Sequence, residues 1–327
     1  VWLTLNDVVL DWRRTALLRG RVEVDALTAK SLKIERLPEG EEDSAPAAEA
    51  SGFSLPELPV SIEIKTFSID DISLGAPLLG EAVNMNVEAS AFLGDGSLDA
   101  DIRAERIDQK LGRFVIKGKY QQASEKLSVD VNVAEDASGI AAQLLGLPGE
   151  PEIDLNVKGE GLLSDFVAQV ALASGGAPRV TGTVELSVEP SAQVSDKPMR
   201  RIQADLGGDI AALLAPRYQP FFGDDIALLI DVSLPSEGGV EVDSFDLTAQ
   251  LAQLNGKVRL NSDYWPEYLD IKAQVKSPDK SLILLPVGGA DTRISGMDLS
   301  VQYDAAKGEQ LDGVFDLQNF TRDGLSL

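Results

Sequence analysis

Alternation of apolar and polar residues with a period of two is the feature that most limits what this chain can fold into. Val83, Met85, Val87, Ala89 and Ala91 share one face of a predicted strand, and Leu98, Ala100, Ile102 and Ala104 share one face of the next. Asp95-Gly96 between them reads as a hairpin turn. Phe114, Ile116, Gly118 and Tyr120 follow, then Leu127, Val129, Val131 and Val133, then Ile153, Leu155 and Val157. Val180, Val184, Leu186 and Val188 continue the pattern, as do Ile226, Leu228, Ile230, Val232 and Leu234. Asn255-Gly256 reads as a turn from a strand ending near Leu251 to Val258 and Leu260. Leu269, Ile271, Ala273 and Val275 come next, then Leu299, Val301 and Tyr303. A helix needs a period near 3.6, so this pattern selects strands.

The residues between the apolar ones are mostly polar, such as Ser128, Asp130 and Asn132. One wet face and one apolar face imply a mainly antiparallel sheet. The pattern gives roughly twenty strands, and open twisted sheets rarely exceed about ten without curling, folding over or splitting into packed pieces. The expected fold is therefore all-β, with a long sheet that folds over or breaks up, and a few short helices. Ile140–Leu145 and Ile210–Leu214 read as such helices, with Asp209 as a cap for the second and Ser281–Pro286 as a third copy. Their spacing is about 70 residues. A second internal repeat matches Val24, Leu27, Leu32 and Ile34 to Ile64, Phe67, Ile72 and Leu74. Val242, Phe245 and Leu247 begin a looser copy. Repeats of this kind bury a face only by stacking. Residues 39–56 are acidic and, in their first part, poor in large apolar side chains, and read as a disordered loop. The expected divisions are amino-terminal strands over 1–38, that loop, and a continuous repetitive β-region over 57–327. The start at Val1 and the end at Leu327 both fall inside strand-like pattern, which reads as a piece of a longer protein.

Composition narrows the function. The formal charge is −24, from 29 Lys and Arg against 53 Asp and Glu. Nucleic-acid binding needs an excess of cations, so no nucleic-acid partner is expected. With no Cys and no His, thiolate nucleophiles, disulfides, zinc-thiolate sites and imidazole triads are out. No phosphate-binding glycine loop occurs. Asp95–Asp101 superficially resembles a calcium loop, but Ala100 stands where the tight turn requires glycine. Asp70-Asp71 and Asp224-Asp225 read as strand or turn acids, since neighbours on a strand point to opposite faces. No cofactor, no metal and no enzymatic activity are expected. Pro216–Phe222 is the one aromatic cluster and reads as packing for a short helix. Arg13, Arg14, Arg19 and Arg21, beside Trp2 and Trp12, make the amino end locally basic. That suits either a solvated strand or a membrane-adjacent segment. The longest apolar run, Leu282–Ala290, contains Pro286 and is too short to span a bilayer.

The strongest signal is distributed along the chain. Its candidates for an apolar groove are Val83, Met85, Val87, Leu98, Ile102, Leu127, Val129, Val131, Ile153, Leu155, Val157, Val184, Leu186, Leu228, Ile230, Leu269 and Ile271. A closed sandwich fills such a face from a second sheet. An open folded sheet leaves a trough.

Three stretches carry a family resemblance: Leu3–Leu27 with Leu32–Pro38, Leu144–Gly161, and Ala211–Asp225 with the strands after it. Together they resemble the TamB/AsmA-like family over essentially the whole chain, through strand patterns rather than catalytic signatures. The resemblance implies a taco-like open groove formed by a long, mostly antiparallel folded-over sheet. It implies a periplasmic location in a Gram-negative bacterium and an inner-membrane anchor through an amino-terminal helix missing here. A TamA-like outer-membrane barrel would engage a carboxy-terminal part, also missing here. The implied role is phospholipid transport between the membranes, with acyl chains shielded in the groove. The alternative implied role is a scaffold for assembling outer-membrane barrels and autotransporters. A fully packed structural spacer is a third reading.

Overall fold

The computed structural model describes residues 2–36, 58–144, 146–189, 199–235, 238–287, 289–308, 310–322 and 325–326. The loop expected over 39–56 lies outside them. The fold is all-β: strands hold 64% of the chain and helices 10%, and the sheet is open rather than closed into a barrel. The described chain divides into two compact units between Gly176 and Ala177.

The first unit holds β1 (Leu3–Asn6), β2 (Val9–Trp12), β3 (Arg21–Ile34), β4 (Ser61–Leu74), helix α1 (Ala76–Leu79), β5 (Val83–Gly94), β6 (Ser97–Arg106), β7 (Gly112–Gln121) and β8 (Lys126–Glu135). It ends with helix α2 (Ile140–Leu144), β9 (Ile153–Leu162) and β10 (Asp165–Ser174). From β4 to β10 each strand pairs antiparallel with the next. Asp95 and Gly96 form the β5–β6 turn with φ of 51° and 67°. This is the left-handed geometry of a two-residue hairpin whose twist matches that of its strands. β1 and β2 both pair antiparallel with β3.

The amino-terminal strands join the rest of the first unit through β3, which pairs with β4 in parallel. This pairing explains the first repeat. Val24 lies opposite Ile64, Leu27 opposite Phe67, Leu32 opposite Ile72 and Ile34 opposite Leu74. In β4 the apolar spacing stretches from two to three at Ile64–Phe67 and Ile69–Ile72. The β4–β5 register shifts at those same two places. Each shift returns the next apolar side chain to the same face.

The second unit holds β11 (Ala177–Glu189), β12 (Met199–Gly208), helix α3 (Gln219–Phe222), β13 (Ile226–Leu234), β14 (Val240–Thr248), β15 (Ala252–Leu260) and β16 (Pro266–Lys276). After these come β17 (Ile283–Leu284), β18 (Thr292–Ile294), β19 (Gly296–Asp304), β20 (Leu311–Gln318), β21 (Thr321–Arg322) and β22 (Leu325–Ser326). β11 to β16, then β19 and β20, form an antiparallel meander. β17, β18, β21 and β22 make a separate small sheet. The looser repeat copy lies on β14, whose register shifts between Val242 and Phe245, the same three-residue spacing as in β4.

Two local expectations are corrected. Asn255-Gly256 is no turn, since both residues lie inside β15. A Cβ on Gly256 would stand 2.3 Å from the Asp270 carbonyl oxygen and 3.1 Å from the Phe245 ring, so glycine is there for clearance. Ser281–Pro286 contributes the short strand β17 rather than a third helix. Ile140–Leu144 is helical, and Ala211–Leu213 forms a single 3-10 turn whose Ala211 N–H donates to Asp209 at 2.9 Å.

Within each unit the helical connections gather at one end of the strands. In the first unit α1 and α2 touch there, joining β4 to β5 and β8 to β9. In the second, α3 and its preceding 3-10 turns join β12 to β13, and β17 and β18 lie between β16 and β19.

Candidate functional site

The apolar faces of consecutive strands line up in register. In the first unit one row runs Leu10, Leu27, Phe67, Ala89, Ile102, Ile116, Val131, Val157 and Val170, each opposite the next. The adjacent row holds Ala91, Ala100, Gly118, Val129, Gly159 and Ala168, which are mostly small. At about 4.8 Å per strand, the nine-membered row extends roughly 38 Å. In the second unit Val184, Ala204, Ile230, Phe245, Gly256, Ile271, Val301 and Gly313 form a comparable row.

Structure places all seventeen sequence candidates on these faces. Met85, Val87, Leu98, Leu127, Val129, Val131, Leu155 and Val157 are half-buried in the first unit. Val184, Leu186, Leu228, Ile230, Leu269 and Ile271 are half-buried in the second. Ile102 is 39% exposed and its neighbour Ile116 42%. A sandwich core would bury such residues fully. Two candidates offer no surface: Val83 is 0% and Ile153 3% exposed, because both start strands at the helical end. Their alternation puts them on the same face as the other candidates but carries no information about what caps it.

The opposite face is polar and laced with cross-strand pairs. Lys119 meets Asp99 at 2.8 Å and Lys126 meets Glu160 at 2.7 Å. Asp101 takes Arg103 at 2.9 Å and Lys117 at 3.7 Å. The superficial calcium loop is therefore a hairpin whose acids serve lysines and an arginine. Concavities of about 280 and 340 Å³ lie on the polar side of the second unit, lined by residues such as Glu241, Lys257 and Arg259, or Asn255, Lys272 and Asp298.

In the first unit, among the described residues, two charges enter the apolar face at the helical end. Arg106, opposite Met85, has a side chain only 1% exposed. Its guanidinium donates to both Asp108 oxygens at 2.9 and 2.8 Å and to Glu81 at 3.1 Å. Lys110 donates to the other Glu81 oxygen at 2.6 Å. Lys110 holds the Glu81 carboxyl below its ordinary range, with Arg106 adding to this, and Arg106 does the same for Asp108. Gly112 clears space for the Arg106 stem, whose Cδ would lie 2.4 Å from a Cβ there. Glu135 is 3% exposed and accepts from the Ile140 and Ala141 N–H groups at 2.6 Å, capping α2. Sequence reading missed Arg106; the one signal was a charge at the end of the Leu98–Ala104 alternation.

The remaining sequence features are absorbed by packing. Asp71 accepts from Asn84 at 3.0 Å and from Ser73 at 3.2 Å. Phe221 is buried and meets Phe222 edge-on at 5.0 Å, so the aromatic cluster serves the second unit's core. Among the described residues no group of three or more acidic side chains is placed to hold a metal ion, and no helix is long and apolar enough to cross a membrane. Comparisons with family models, curated proteins and solved structures gave no match.

The arrangement offers no bond chemistry at its centre. It offers aliphatic surface that is continuous across strands, slightly recessed along the small-residue row, and bounded at one end by a satisfied ion network.

Proposed function

We propose that these apolar faces shelter lipid acyl chains, in a segment of a periplasmic bridge that carries phospholipid between inner and outer membranes. The observation that carries the reading is the in-register, half-buried aliphatic row on the sheet face of each unit. Drawing an acyl chain out of its bilayer exposes CH2 groups at about 0.8 kcal/mol each. An aliphatic face offsets that penalty while the headgroup stays in water. The contact is non-directional, so a chain can slide from row to row without breaking hydrogen bonds.

Placing Asp at Val129, Leu155 and Leu186 together tests the proposal. The expected outcome is a folded protein, by circular dichroism, from which mass spectrometry recovers less co-purifying lipid. Unchanged lipid recovery from a folded variant refutes it. Where the triple variant fails to fold, Gly118→Phe answers the same question. A Cβ at Gly118 meets no atom within 4 Å, so a side chain there starts into open space on the apolar face.

One observation favours the scaffold reading as a second. β20 pairs only with β19 among the described strands, and leaves Leu311, Val314 and Phe315 59%, 70% and 60% exposed. Such an edge suits strand addition by a nascent outer-membrane protein. Pro at Val314 would abolish capture of an unfolded barrel protein on that reading, and leave lipid recovery intact.

A further inference from the structure

The turn between β2 and β3 has no part in the apolar track. It is a 3-10 turn, Arg14–Arg19, closed by Gly20 at φ 69° and anchored by Ala16, which is 5% exposed. Its tip points the wrong way for a core: Leu17 is 46% and Leu18 88% exposed. Around that tip stand Arg14, Arg19 and Arg21, all exposed. None of the three has an ion pair among the described residues. Their neighbour Arg13 is engaged, by Asp25 at 2.6 Å and Glu23 at 3.7 Å, and Lys65 holds the other Asp25 oxygen at 2.7 Å. The nearby acids of β3 are thus matched by Arg13 and Lys65, and three cations remain beside two exposed leucines.

We propose that this turn docks on an anionic lipid bilayer, with Leu17 and Leu18 entering the interface and Arg14, Arg19 and Arg21 binding headgroup phosphates. The chain's overall charge of −24 argues against attraction at long range. At physiological salt, however, the screening length is about 8 Å, so the bilayer senses the turn rather than the distant acids. A phosphate polymer such as DNA would engage the arginines but gain nothing from two protruding leucines. The inference goes beyond the acyl-chain proposal and stands without it.

Co-sedimentation of the whole chain with vesicles tests it. Vesicles of equal parts phosphatidylcholine and phosphatidylglycerol should bind, pure phosphatidylcholine vesicles should bind far less, and added salt should weaken the first. Reversing Arg14, Arg19 and Arg21 to Glu should weaken binding by at least about tenfold, given roughly fivefold per cation near an anionic surface. Leu17→Ser with Leu18→Ser should lower binding several-fold and leave the salt dependence. These side chains are exposed, so the variants should keep the wild-type circular dichroism, and lipid recovered by extraction should not change. Equal binding to neutral vesicles, or binding indifferent to both sets of changes, overturns the proposal. So does DNA binding as tight as vesicle binding that the leucine changes do not touch, which would mark a general anion patch.

Discussion

At the helical end of the first unit the apolar face runs into the Arg106 ion network, whereas in the second it runs into a packed core. That core joins Phe221, Val275, Ile283 and Ile294, with Phe222, Leu251, Met297, Leu317 and Phe320 against it. Ile294 is 0% exposed. The first unit has a smaller buried cluster, Ala29, Ile69 and Ile72, on the β3–β4 pair, with Met85, the residue opposite Arg106, packed against it. The same amphipathic strands can therefore be finished in two ways. Packing needs a second layer, which α3 and the small sheet supply. An ion network needs only loops that bring carboxylates back over a buried guanidinium.

The sharpest way to break this comparison is to hollow out the packed end. Ile294→Ala should destabilise by about 4 kcal/mol, through lost burial plus the cavity left behind. Urea unfolding measures this, and a change below about 1 kcal/mol would mean the second end is not a core. Arg106→Ala should lower stability by about 3 kcal/mol, since it strands two carboxylates near a buried site. The figure sits at the low end of that range because Glu81 and Asp108 keep 29% and 19% exposure. If Arg106→Met restores most of the loss, packing of the stem outweighs its charge.

Acid should separate the two ends next. Glu81 and Asp108 have values depressed in the folded state. Their stabilising effect is present above the ordinary values of 4.5 and 3.8 and fades as pH falls through the lower folded ones. Amide protection around Val83 and Arg106 should therefore fall in acid before protection around Val275 and Ile294. The acid with a resolved shift near the second end, Asp279, is exposed and held to about 2 by the Ser277 and Ser281 hydroxyls and the Ser281 N–H. Simultaneous loss at both ends would dissolve the distinction. The smallest effect is expected on the face itself. Gly118→Val should stabilise by up to about 1 kcal/mol through strand propensity, while reducing recovered lipid. Stabilisation with unchanged lipid recovery would count against the acyl-chain proposal.

Much of the fold was legible because alternation encodes it directly. The faces of β5 to β9 follow residue by residue from the sequence, and so does the Asp95-Gly96 hairpin. The β3–β4 match was legible as a repeat but not as a parallel pair, since similarity says nothing about direction. Asn255-Gly256 misled because the same dipeptide serves tight turns and close strand packing, and only the opposing Phe245 distinguishes them. The rows were legible as faces. Their degree of burial was not, because it depends on which loops return over Val83 and Ile153. Arg106 was hidden for the same reason: its partners Glu81 and Asp108 lie in connections, where spacing carries no periodic signal.

The doubled three-residue steps in β3 and β4 have one more consequence. Two plain alternating strands can slide past each other by two positions and still present greasy side chains to the same side. Here the steps fall at Val24–Leu27 and Ala29–Leu32 on one strand and at Ile64–Phe67 and Ile69–Ile72 on the other. They mesh like the wards of a lock. Only one alignment superposes all of them.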